Sequence, residues 1–150
     1  MRCRRAGLFA VALLLFAGCE RADDVSEARL AKMAGGKLKD VVSVSGKVLV
    51  DGAPQGGVNI SLYKKAGGKP IADCRTDADG TYCWTTHVAC DGLEPGEYRL
   101  GFEYIPKQKR NDKGIDLLGG RYSDPMKVEY LLTVEEGAPQ EDVDYELTTK

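Results

Sequence analysis

The sequence predicts an all-β fold, a seven-stranded antiparallel β-sandwich with Greek-key connections, on three observations. Apolar residues alternate with polar ones in short runs, turn residues separate those runs, and no segment after residue 40 has a convincing helical period. Polar residues at alternate positions, such as Lys127, Glu129 and Thr133, give each sheet one wet face and one buried face, so two sheets must cover each other. With 150 residues and 43% hydrophobic content, the chain holds one such core and no second enzyme-sized domain.

The N-terminus is charged at Arg2, Arg4 and Arg5, apolar from Ala6 to Phe16, and small at Ala17 and Gly18, the three-part pattern of a secretory signal. The apolar run is too short to span a bilayer. Leu15-Phe16-Ala17-Gly18-Cys19 resembles a bacterial lipobox, with Phe16 where that motif usually has Leu. The resemblance implies that the Cys19 thiol takes a diacylglycerol and becomes the acylated first residue. The expected organisation is a signal peptide over 1–18, a lipidated N-terminus and tether over 19–40, and a β-sandwich over 41–150. The expected location is exported, lipid-anchored to the cell membrane or outer membrane, facing the periplasm or the surface. Removing residues 1–18 takes away three arginines and no acid, which moves the formal charge from −2 to −5. An acidic mature chain excludes nucleic acid as a partner class, because phosphate binding needs concentrated Lys and Arg.

Glu20 to Asp40 is rich in Ala, Gly and charge and has no apolar stripe wide enough to pack. A flexible segment of that length spans roughly 25 Å. Alternation then begins. Val42, Val44, Val48 and Val50 share one face, Asp51-Gly52-Ala53-Pro54 turns the chain, and Val58, Ile60 and Leu62 alternate again. A weaker strand is expected near 70–75. Further sets follow at Tyr82 and Trp84, at Tyr98, Leu100, Phe102 and Tyr104, at Met126, Val128, Tyr130, Leu132 and Val134, and at Val143, Tyr145 and Leu147.

Thr76-Asp77-Ala78-Asp79-Gly80 poses a choice between a calcium loop and a turn. With Gly80 at the sixth position of an EF-hand loop, Arg75 stands at the first and Thr86 at the twelfth, where oxygen ligands are required. The expected reading is a hairpin turn of Asp77, Asp79 and Gly80, with no metal and no cofactor. Cys3 leaves with the signal and Cys19 is lipidated, so Cys74, Cys83 and Cys90 supply one pair and one spare in an oxidising compartment. A four-residue hairpin loop would place Cys74 opposite Cys83 and favour that disulfide. The alternative is Cys83 to Cys90.

The stretches SVSGKVLVDGAPQGGVNISLY, TDADGTYCW, DGLEPGEYRLGFEY and the terminal RYSDPMKVEYLLTVEEGAPQEDVDYELTTK resemble the carboxypeptidase regulatory-like, transthyretin-like domain of small bacterial lipoproteins, from about Val42 to Lys150. In that family the TD-x-DG-x-aromatic element is a hairpin turn and PGEY opens a strand. The matching positions are Thr76, Asp77, Asp79, Gly80 and Tyr82, then Pro95, Gly96, Glu97 and Tyr98. The resemblance implies an accessory, adhesive or packing module and no enzyme. A purine-catabolism hydrolase shares the fold but ends in Tyr-Arg-Gly-Ser, whereas this chain ends Glu146-Leu147-Thr148-Thr149-Lys150. A pilin-type crosslink from Lys47 would need an Asn where the last strand has Asp144.

His87 is the single histidine, and an exported thiol or metal enzyme using it with a nearby cysteine is the third functional reading. The first is a membrane-anchored, non-enzymatic envelope module that binds or scaffolds a partner. The second is a carbohydrate- or peptide-binding module of the envelope. The partners expected are the membrane, through Cys19, and an envelope protein or glycan. The candidate binding loop lies in the long 105–124 connection, which gathers Lys107, Lys109, Arg110 and Lys113 and carries Leu117 and Leu118 to pin it.

Overall fold

The computed structural model describes residues 27–33, 35–106, 114–127 and 130–150. The signal peptide, Cys19, most of the tether, Lys107, Lys109, Arg110, Lys113 and Val128 lie outside the described residues.

Among the described residues, one short helix, α1 (Glu27–Met33), precedes eight strands: β1 (Ser45–Val50), β2 (Ala53–Pro54), β3 (Asn59–Lys64), β4 (Ala72–Arg75), β5 (Thr81–Cys83), β6 (Gly96–Glu103), β7 (Leu131–Val134) and β8 (Tyr145–Leu147). The first sheet places β2 and β5 on β1 antiparallel, with β8 added to β1 in parallel. The second has the order β4-β3-β6-β7, antiparallel throughout. The all-β sandwich expected from alternation is therefore the fold. Two details differ. The strand count rises from seven to eight because Ala53 and Pro54 fold back on Val50 and Leu49 as β2. The sheet is not wholly antiparallel, because the chain passes across the sandwich before β8 and reaches β1 from the same end at which β1 begins.

The inward faces interdigitate. Trp84, Phe102, Ile60, Leu62, Leu100, Leu118 and Leu147 are fully buried, with Val44, Val48 and Val58 beside them. Burying each large side chain contributes about 1.5 to 3 kcal/mol. Leu118 pins the long connection to this core, whereas Leu117 is left 48% exposed. The strand expected over 126–134 is shorter than its alternation suggests. Leu100 N–H donates to Tyr130 O and Phe102 N–H to Tyr122 O, so Tyr122 and Tyr130 both bond to the edge of β6 and the ladder between them is interrupted. Pro125 has no N–H for a ladder, and Asp124 Oδ1 takes the Met126 N–H at 3.0 Å to turn the chain.

Gln140 joins the two layers. Its backbone accepts from Ser45 N–H and donates to Ser43 O beside β1. Its side-chain amide accepts from Glu135 N–H and donates to Thr133 O, both at 3.1 Å. The amide thus satisfies part of the outer edge of β7, where unpaired backbone would otherwise face solvent.

The turn after β4 is a corner between sheets. Thr76, the buried polar residue, accepts Val58 N–H at 2.9 Å and donates its hydroxyl proton to Gln55 O at 2.8 Å, which ends β4 on β3. Four residues later Gly80 O accepts Val48 N–H of β1. Gly80 has φ +81, a region that an L residue enters only at a cost. The strands on either side of Asp77–Gly80 therefore pair with different partners, and the expected hairpin pairing of β4 with β5 does not form.

Candidate functional site

The two ends of the sandwich differ. At one end the chain arrives through residues 37–42 and meets the loop between β5 and β6. Val42 and Leu93 exchange both backbone hydrogen bonds. Lys39 N–H donates to His87 Nε2 at 3.0 Å, and Lys39 Nζ pairs with Glu94. At the other end lie residues 104–106, residues 114–121 and the C-terminal strand end, where Arg121 donates to Thr148 O at 2.7 Å and Asp51 Oδ1 accepts Thr149 N–H at 3.1 Å. β6 runs between these ends over eight residues, roughly 26 Å at 3.3 Å per residue.

The loop at the arriving end is knotted by one carboxylate. Asp91 accepts N–H bonds from Thr86 at 2.7 Å, His87 at 2.8 Å and Val88 at 3.1 Å. Its partial burial alone would raise its pKa, but these three donors outweigh that and hold the carboxyl below the usual carboxylate range. Thr85 Oγ1 accepts Cys90 N–H, and the Thr86 hydroxyl donates to Gly92 O. Because the folded-state pKa is lowered, the stabilisation is present above the unfolded value near 4 and is lost as pH falls through the lower folded value. The thermal midpoint gap between wild type and Asp91→Asn should be open at pH 7 and should close progressively below about pH 4. A gap that stays constant to pH 2 would contradict this role.

Cys83 and Cys90 form the disulfide, with Cα atoms 5.2 Å apart, and Cys74 is free. The expected Cys74–Cys83 pairing is thereby corrected, and the reason is the sheet crossing. Cys74 packs against the core from β4, and burial pushes its thiol up to about 12. Cys83 follows Tyr82, which points inward, so in an alternating strand it points out of the other sheet. The two sulfurs therefore lie on opposite sides of the first sheet. The thiol half of the third functional reading is corrected with it. His87 has no free thiol at its side, since both nearby cysteines are bonded, and its Nε2 is occupied by the Lys39 N–H. Among the described residues no group of three or more His, Cys, Asp or Glu is arranged to hold a metal ion.

Asp79 Oδ1 accepts both the N–H and the hydroxyl proton of Thr81, at 3.1 and 2.6 Å. The hydroxyl bond is the main reason its carboxyl is held below the usual range. Asp77 contributes backbone: its N–H donates to Thr81 O and its carbonyl accepts Gly80 N–H. Across the far end, Asp116 serves the long connection in the same way, with Oδ1 accepting Tyr104 N–H at 2.8 Å and Leu118 N–H at 3.0 Å and Oδ2 accepting Gly120 N–H at 2.8 Å. The sequence reading missed Asp91 and Asp116. The available signal was an Asp one or a few residues before glycine, a composition suited to side-chain-capped turns.

Two clefts open at the arriving end. One, of about 790 Å³, lies between residues 37–42 and Glu136–Gly137. The other, of about 440 Å³, is floored by Leu62, Leu93 and Tyr98 and edged by Lys64, Thr85 and Thr86. Lys39, Glu94 and Pro95 line both and stand between them. Among the described residues the large exposed hydrophobics are Ile71, Val88, Ile115, Leu117, Met126 and Leu131, none of them aromatic. Trp84 is fully buried instead, edge-on to Tyr82 at 6.3 Å.

No family model and no curated protein matches the chain. Several solved structures are similar to it. A DUF3823 family protein from Bacteroides ovatus is 17% identical over 71% of this chain and 43% of that one, with a TM-score of 0.40. The 5-hydroxyisourate hydrolase of Klebsiella pneumoniae is 16% identical over 75% of this chain and 89% of its own, with a TM-score of 0.39. Transthyretin from Sparus aurata is 27% identical over 41% of this chain and 55% of its own, with a TM-score of 0.30. The chain spans less than two thirds of the DUF3823 protein and of transthyretin. The expectation that this chain is not an enzyme is corrected by the hydrolase, which shows that chains of similar structure include catalysts. The likeness is one of fold, a transthyretin-like β-sandwich.

Proposed function

We propose that the chain is an envelope lipoprotein, acylated at Cys19, whose sandwich over residues 41–150 presents a binding or scaffolding surface away from the membrane. The observation that supports this most is the polarity of the sandwich. The chain arrives at one end, through residues 37–42, and the long connection after β6 emerges at the other. An anchor at Cys19 would therefore hold the arriving end toward the bilayer and display the far end. There Ile115 is 73% exposed and Leu117 48%, both aliphatic, in the same connection that gathers Lys107, Lys109, Arg110 and Lys113 in sequence. Exposed aliphatic groups in a connection whose sequence is rich in cations suit an envelope protein with an acidic, apolar surface better than a glycan, which would be gripped by aromatic faces. The acidic balance of the chain argues against nucleic acid.

The test is Cys19→Ala in the full-length protein. Lipid labelling should disappear and the protein should move from the membrane fraction to the soluble fraction, because no helix among the described residues is long and apolar enough to cross a membrane. Retention of the variant in membranes would overturn the anchor.

A further inference from the structure

We propose that the Cys83–Cys90 disulfide is a redox latch that fixes residues 37–42 against the sandwich, and that its reduction releases this segment and lengthens the tether. Among the described residues, every hydrogen bond from 37–42 to the body of the domain runs to one loop. Lys39 N–H reaches His87 Nε2, Lys39 Nζ reaches Glu94, and Val42 exchanges two bonds with Leu93. The disulfide closes that loop seven residues apart.

Two features make the loop depend on the bond. Cys90 sits at φ +59, a left-handed conformation that a non-glycine residue holds only when its surroundings impose it. Gly92, at φ +109, lies directly under Val42 O, so a small change in the loop backbone moves the surface on which Val42 pairs. Cys90 is exposed and Cys83 half-buried, which opens the Cys90 sulfur to attack.

The reductant is a dithiol, protein or small molecule. One thiolate attacks Cys90 Sγ, the S–S bond breaks, and Cys83 leaves as a thiolate that takes up a proton. The second thiolate of the reductant then attacks the mixed disulfide, freeing Cys90 as a thiol and closing the reductant's own disulfide. Two electrons and two protons pass from the dithiol to the protein. With the loop released, residues 37–42 lose their partners and join the tether. Lys39 then no longer stands between the two clefts.

Limited trypsin digestion of the full chain, with and without dithiothreitol, reads the latch directly. The loop between Cys83 and Arg99 contains no lysine or arginine, so cleavage after Lys37 and Lys39 reports the segment alone, and cleavage at Arg99 within β6 reports global unfolding. Reduction should speed cleavage after Lys39 at least tenfold with Arg99 unchanged. Oxidised His87→Ala should speed it about threefold without any change in the disulfide. Equal rates with and without dithiothreitol, equal acceleration at Arg99, or no effect of His87→Ala would each overturn the proposal.

Discussion

An alanine at position 92 should destabilise the protein by about 3 to 5 kcal/mol, through backbone strain plus a steric clash. Gly92 has φ +109, where an L residue is strained whatever the space around it. A Cβ there would also run into the carbonyl of Val42, a backbone atom held in the Val42–Leu93 bridge, so no side-chain rotation can relieve it. Gly52 separates the two causes. It has φ +82 with nothing within 4 Å of an added Cβ, so Gly52→Ala should lose only the strain, about 1 kcal/mol. Urea unfolding of the two variants side by side measures both. Similar midpoints would show that the close approach of Gly92 to Val42 does not exist.

The second large effect is expected at Trp84. Its side chain is fully buried between the sheets, and replacing it by alanine should cost about 3 to 5 kcal/mol. Trp84→Phe should cost far less than the lost volume implies. Trp84 Nε1 has no hydrogen-bond partner among the described residues, and a buried unpaired donor costs about 1 to 3 kcal/mol that phenylalanine does not incur. If Trp84→Phe proves as damaging as Trp84→Ala, then Nε1–H has a partner and the packing at the end of β5 differs from the one described. Tyr145 Oη is unpaired in the same sense, and burial pushes its phenol up to about 12.

Period-two alternation made the sandwich legible because each β-sheet here has one dry face. Val48 and Val50 in β1, Ile60 and Leu62 in β3, and Leu132 and Val134 in β7 are all buried as that pattern requires. What alternation does not carry is partnership. The residues around Asp77–Gly80 read as a hairpin turn, whereas Thr76, whose hydroxyl binds the distant backbone of Gln55 and Val58, makes them a corner between sheets. The disulfide follows from that corner. Once β4 and β5 belong to different layers, Cys74 faces the core, and Cys83 takes the partner seven residues on. Local pattern also overextended β7, because the departure of the chain at Asp124 and Pro125 depends on side-chain capping and on a missing N–H. His87 was legible as an isolated histidine, but its use as an acceptor for a backbone N–H forty-eight residues earlier was not.

Mapping thiols and disulfides in unreduced protein tests whether residues 76–80 carry the chain from one sheet to the other. A sheet crossing there gives a proteolytic fragment in which Cys83 and Cys90 are linked, with Cys74 recovered as a thiol that alkylates only after unfolding, since it is packed against the core. A fragment joining Cys74 to Cys83 would contradict it, because that bond requires β4 and β5 to lie side by side in one hairpin.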